Sequence, residues 1–157
     1  MLILDLTGVS ILKLHIHSIN IYSQIDLVKQ TFHKVERLHS KKQIDMLFAN
    51  GESFFKYPYK VIYMLDTAEE LRSVQVLISV SKRNFKKAVD RNKLKRLMRE
   101  AYRKNKYILT ESSQKSKKSM LLGLMYTEKT ILPYSEIERK IILILQRLNE
   151  QDEQAVG

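Results

Sequence analysis

Residues Lys82 to Arg103 (KRNFKKAVDRNKLKRLMREAYR) hold ten Lys and Arg against two acids, Asp90 and Glu100, a net +8 of the chain's formal +11. Charge alone would mark only a solubilising face. The spacing says more. Leu94, Leu97, Met98 and Ala101 fall at i, i+3, i+4 and i+7, the stripe of a helix packed on a core. At about 100° per residue, Asn92, Arg96, Arg99 and Arg103 align on the opposite side, with Arg91 and Lys95 on one flank. Lys82, Arg83, Lys86 and Lys87 lead into the helix. A guanidinium is planar, permanently charged and able to fork onto two phosphate oxygens, so a rigid ladder of them predicts a nucleic-acid surface. Arg91, Arg96 and Arg99 all point away from the stripe, and their removal is expected to leave the fold intact. Lys93 and Lys104 sit beside the stripe and are expected to lay their stems along it. Glu100 is expected to steady neighbouring arginines.

Other chemistries find little support. A metal-dependent nuclease needs converging carboxylates, yet Asp45, Asp66 and the pair Asp90 and Glu100 stand on three separate predicted elements. The four histidines, His15, His17, His33 and His39, all precede the first predicted helix, and His15-x-His17 reads as a solvated pair rather than a metal site. Four glycines leave no Gly-rich phosphate loop, and the absence of cysteine excludes thiolate zinc sites, disulfides and Cys nucleophiles. No catalytic residue and no protein-bound metal or cofactor is expected. A pI near 9.8 with clustered charge points to a polyanion. An anionic membrane fits less well, because the apolar stripe carries no Trp or Phe anchor. No run of about 18 apolar residues suggests a transmembrane helix. The N-terminus, interrupted by Asp5, Lys13, His15 and His17, lacks the basic start and cleavage site of a signal peptide. A cytoplasmic protein is expected.

The elements that must position the ladder follow from periodicity. Ser40 with Gln43 makes a capping-box pattern; Ile44, Leu47 and Phe48 give a helical stripe, and Gly51 closes the helix. Ser53 to Tyr57 predicts a short strand and Pro58 a junction. In the next strand Tyr59, Val61, Tyr63 and Leu65 alternate with Lys60, Ile62 and Met64. Asp66 to Arg72 is a polar turn, and Val74, Val76, Ile78 and Val80 alternate along a strand that runs straight into the basic segment. Thr110 to Ser119 reads as a loop, Met120 to Tyr126 as a strand. Ser135 with Glu138 forms a second capping box before a helix striped by Ile137, Ile141, Ile144, Leu145 and Leu148. The order α-β-β-β-α-β-α predicts an α/β protein, an α+β sandwich with three helices on one small mixed four-stranded sheet. Residues 31–149 are expected to form a single RNA-binding domain and 150–157 a disordered tail. Residues 1–30 lack caps and sustained period and are expected to be a poorly ordered extension, of which residues 1 to about 28 are dispensable, with translation starting at Val28 from a GUG codon. Ile44 and Phe48 of the first helix are expected to face Val61 and Tyr63, either as core or as a cleft.

The basic segment resembles the protein component of bacterial ribonuclease P. The residues that carry the resemblance are Lys82, Arg83, Lys86, Lys87, Ala88, Arg91, Asn92, Lys95, Arg96, Arg99, Glu100 and Arg103, following a Val-rich strand. Thr31-Phe32, Arg37-Leu38 and Phe48-Ala49-Asn50-Gly51 are similar to the family's opening, and the likeness spans about Gln30 to Leu148. Two departures stand out. Ile44 occupies a position where the family often has an aromatic, and Lys129 is the nearest cation after the last strand, where an Arg is common. The resemblance implies a left-handed β-α-β crossover and a protein that does no chemistry itself. Its partners would be a catalytic RNA subunit, which with Mg2+ removes the 5′ leader of precursor tRNA, and that precursor tRNA. Neither DNA nor a membrane is implied. The basic helix would pack on the catalytic RNA. A cleft between sheet and first helix, lined by Ile44, Phe48, Val61 and Tyr63, would hold the leader. A ribosomal or RNA-chaperone protein would use the same helix. A DNA-binding module would need a second helix packed across it.

Overall fold

The computed structural model describes residues 31–66, 74–109 and 119–154. A 3-10 turn at Lys34–Glu36 precedes α1 (Lys41–Asn50). There follow β1 (Glu52–Lys56), β2 (Tyr59–Asp66), β3 (Val74–Val80), α2 (Ala88–Asn105), β4 (Ser119–Tyr126) and α3 (Tyr134–Gln154). This is the predicted order. The sheet runs β1-β2-β4-β3. β1 pairs antiparallel with β2 and β2 with β4, whereas β3 lies parallel to β4, with α2 as the connection between them. Parallel neighbours cannot be joined by a hairpin, so the crossover helix is obligatory.

Register decides what each face of the sheet meets, because successive side chains alternate sides. On one face Tyr59, Tyr126 and Val80 lie abreast, then Val61, Leu124 and Ile78, then Tyr63, Leu122 and Val76. These pack against Leu94, Met98, Ala101 and Tyr102 of α2 and Ile137, Ile141, Ile144, Leu145 and Leu148 of α3, which form the main core. Each such large apolar side chain contributes about 1.5–3 kcal/mol on full burial. On the opposite face, Ile62 and Leu121 meet Leu47 of α1 and Leu38, a smaller core flanked by Ile44, Met46, Met64, Leu77 and Met125. The sheet is therefore covered by two helices on one side and by one short helix on the other.

This register corrects the expected facing of β2. Val61 and Tyr63 belong to the main core, on the side away from α1, while Ile62 and Met64 face α1. The helix ends also differ from their motifs. Ser40 is the first cap of α1, but its side chain makes no capping hydrogen bond. Gly51 ends α1 with φ −73°, outside the left-handed region. What it supplies is space, since a Cβ there would run into Leu47 O and stand 2.8 Å from Ile62 Cγ2. Ser135 does not cap α3. The helix begins one residue earlier, with Ile137 N donating to Pro133 O at 3.1 Å. Glu138 instead accepts from Tyr134 OH at 3.0 Å and from Asn105 Nδ2 at 3.2 Å. At its other end α3 continues through Gln154, so residues 150–154 are helix rather than tail. Ser119 is the first residue of β4 rather than the last of a loop. The predictions for residues 1–30 and for the loop up to residue 118 fall outside the described residues.

The segment ahead of α1 ties back to α2. The carboxylate of Glu36 and the ammonium of Lys106 form an ion pair with little exposure on either side. Phe32 sets its ring edge-on to Tyr102 at 5.5 Å and lies under the Arg37 guanidinium at 5.3 Å. Burial, with Glu36 nearby, pushes the Tyr102 hydroxyl far above its ordinary pKa. Among the described residues no helix is long and apolar enough to cross a membrane.

Candidate nucleic-acid interface

Helix α2 is anchored by Leu94, Met98 and Ala101, each fully buried, and by Tyr102 at 1% exposure. Leu97, expected in the stripe, is only partly buried at its edge. Tyr102, which the predicted stripe omits, is the largest of these anchors. The opposite side is free. Asn92, Arg96 and Arg99 are exposed and Lys95 is half-buried, as the ladder requires. Arg103 folds onto Glu100 in a two-pronged contact, Nε to Oε2 at 2.8 Å and Nη2 to Oε1 at 2.7 Å. That bond holds the Glu100 carboxyl below the usual carboxylate range. Arg103 thus stands in the row, already engaged, and Glu100 plays the steadying role expected of it.

Arg91 departs from expectation. Its Nη1 donates to Phe85 O at 2.8 Å and to Lys86 O at 2.7 Å, so it clamps the loop that enters the helix. The same loop is held by Phe85, which is 7% exposed and set against the Tyr126 ring at 6.1 Å between centroids. Lys82, Arg83, Lys86 and Lys87 project from this pinned loop and are all exposed. A loop with an aromatic plug and a guanidinium clamp presents its cations with less conformational freedom to lose on binding.

The loop also forms one wall of a groove. Lys60, Met125 and Ser79 lie abreast on the α1 side of the sheet, one row beyond Ile62, Gly123 and Leu77, the row over which Leu47 packs. With Ser81, Arg83, Asn84, Tyr126, Thr127 and Lys129 they line an open groove of about 450 Å3. Phe55 stands beside Lys60 in the register and is 60% exposed. Of the four residues expected to line a cleft, Phe48 is 49% exposed and Ile44 packs on the smaller core. Val61 and Tyr63 do not join them. Val61 is fully buried in the main core. Tyr63 lies edge-on to Phe54 at 6.1 Å and donates from its hydroxyl to Glu52 Oε2 at 2.5 Å. Burial and that acceptor push its pKa to about 12. Periodicity did not point to Lys60, Ser79 and Met125. The signal for them was Lys60 itself, the one cation in its strand.

An arginine ladder on α2, a pinned cationic loop and a cation-lined groove on one α/β framework define a nucleic-acid-binding protein. The ribonuclease P family model matches residues 32–149. The chain is 34% identical over 115 residues to the ribonuclease P protein component of Porphyromonas gingivalis strain W83, which covers 73% of this chain and 84% of that one. It is 46% identical over 77 residues to that of Chlorobium phaeobacteroides, covering 46% and 52%. The ribonuclease P protein of Thermotoga maritima has the same fold, with a TM-score of 0.57 at 24% identity over 71% of this chain and 96% of that one. This chain belongs to the ribonuclease P protein family. It is therefore an RNA-binding subunit of a tRNA-processing endoribonuclease, as the basic segment's resemblance implied.

Proposed function

We propose that the RNA bound by α2 is the catalytic subunit of ribonuclease P and that the groove receives the 5′ leader of precursor tRNA. The observation that carries this reading is the position of Arg83, which lines the groove and belongs to the loop that opens onto α2. The basic surface is thereby continuous from groove to helix. A single strand can lie on one part while a folded RNA packs on the other. Phosphates of a leader suit Lys60, Arg83 and Lys129, and the exposed rings of Phe48 and Phe55 suit stacking on unpaired bases without reading a sequence. In this account hydrolysis belongs to the RNA and its Mg2+ ions, and the protein supplies grip and charge neutralisation in the cytoplasm. The test is binding by the holoenzyme assembled from protein and RNA subunit. Precursor tRNA is expected to bind at least tenfold more tightly than mature tRNA, about one phosphate contact or one stacked base in free energy. Equal affinities would refute the reading.

A further inference from the structure

Two connections 43 residues apart in sequence meet at one end of the sheet through a single side chain. Asn84 Nδ2 donates to Thr127 O at 2.7 Å and stands 3.5 Å from Glu128 O. Thr127 is itself fixed to the β1–β2 turn, its N and Oγ1 donating to Pro58 O at 2.9 and 2.8 Å. Tyr57 OH from the same turn donates to Glu128 Oε2 at 2.8 Å. Three connections are thus joined in one chain of bonds, with Asn84 as the link to the basic loop. Arg83 immediately precedes Asn84 and Lys129 follows Thr127 by two residues; both line the groove.

Long cationic side chains on exposed connections lose much freedom when they grip a phosphate. Fixing the backbones that carry them removes part of that loss before RNA arrives. We propose that Asn84 is a positioning residue, whose carboxamide bridge to Thr127 O holds Arg83 and Lys129 at the spacing that grips the phosphates of single-stranded RNA. The residue type suits the task. Its side chain is short and neutral and donates a hydrogen bond. An aspartate would turn a carboxylate toward the Thr127 and Glu128 carbonyls and oppose the phosphates. The inference rests on the reading of the groove as the leader site.

The experiment measures precursor and mature tRNA binding across a salt series, with wild-type and Asn84→Leu protein assembled on the RNA subunit. Leucine keeps the approximate size and removes the donor. Although the charge is unchanged, the slope of log K against log salt for precursor is expected to flatten by about 1.4, two phosphates at about 0.7 each for a single strand. The slope for mature tRNA should stay at the wild-type value. The double variant Arg83→Ala/Lys129→Ala should flatten the precursor slope equally, and adding Asn84→Leu to it should change nothing more. Asn84→Ala, which leaves space where Leu fills it, should behave as Asn84→Leu does and replaces it should the Leu variant not fold. A lower melting temperature with a wild-type slope would make Asn84 merely structural. Weaker binding at an unchanged slope would make it a direct RNA contact. Either result overturns the proposal. Wild-type holoenzyme that binds precursor and mature tRNA alike would overturn the leader reading, and this inference with it.

Discussion

Arg96→Ala with Arg99→Ala is expected to lower affinity for the RNA subunit about a hundredfold, at about 1.5 kcal/mol for each charge-assisted hydrogen bond to phosphate that is removed. The salt slope should fall by about 1.4 to 1.8, two phosphates at about 0.7 to 0.9 each. The melting temperature should hold, because both side chains are exposed and stand opposite Leu94, Met98 and Ala101. Arg91→Ala should behave differently. It removes two hydrogen bonds, to Phe85 O and Lys86 O, so about 2 kcal/mol of stability should go with it. Thermal melts beside salt-dependent binding separate the two roles. Wild-type affinity and slope in the Arg96/Arg99 double variant would show the ladder to be idle.

Tyr63→Ala and Phe48→Ala are expected to divide in the same way. Tyr63 is a buried ring of the main core, 6% exposed and bonded to Glu52. Its truncation should cost about 3–5 kcal/mol of stability, the range for deleting a large core aromatic. Precursor and mature tRNA binding should then suffer alike. Phe48 is 49% exposed on α1, so its truncation should change stability by no more than about 0.5 kcal/mol. If it stacks on a leader base, precursor binding weakens by about 1–3 kcal/mol and mature tRNA binding does not. Chemical denaturation and paired binding assays read both quantities. A selective precursor defect in Tyr63→Ala with unchanged stability would restore Tyr63 to the expected leader cleft and contradict the register.

Element order was legible because strands and helices differ in period. The face that β2 turns to α1 was not. Its two sets, Tyr59-Val61-Tyr63 and Ile62-Met64, are both apolar because helices cover the sheet on both sides. Alternation shows two faces in such a strand without saying which helix covers which, and Lys60 was the only asymmetric mark. The helix boundaries were misread for local reasons. Ser135 and Glu138 satisfy the capping pattern, but Pro133, with its φ preset by the ring, already starts the turn. Glu150 to Gln154 extend α3 by propensity, beyond the last apolar position that periodicity could see. Asn92, Arg96 and Arg99 are exposed as their spacing predicts, because exposure there depends only on the helix's own stripe. The bonds of Arg91 and Asn84 are tertiary, and no spacing within the segment encodes Thr127 as a partner.

The most direct test of the account is leader cleavage by its separated parts. RNA-free protein, its RNA subunit and the two together should be compared on precursor tRNA across a magnesium titration. The protein alone should leave the precursor intact, because in the proposed account hydrolysis belongs to the RNA subunit. The RNA with protein should cleave at magnesium concentrations where the RNA alone is slow, with protein cations replacing part of the ionic neutralisation. Cleavage by RNA-free protein, or no stimulation of the RNA at low magnesium, would contradict the account.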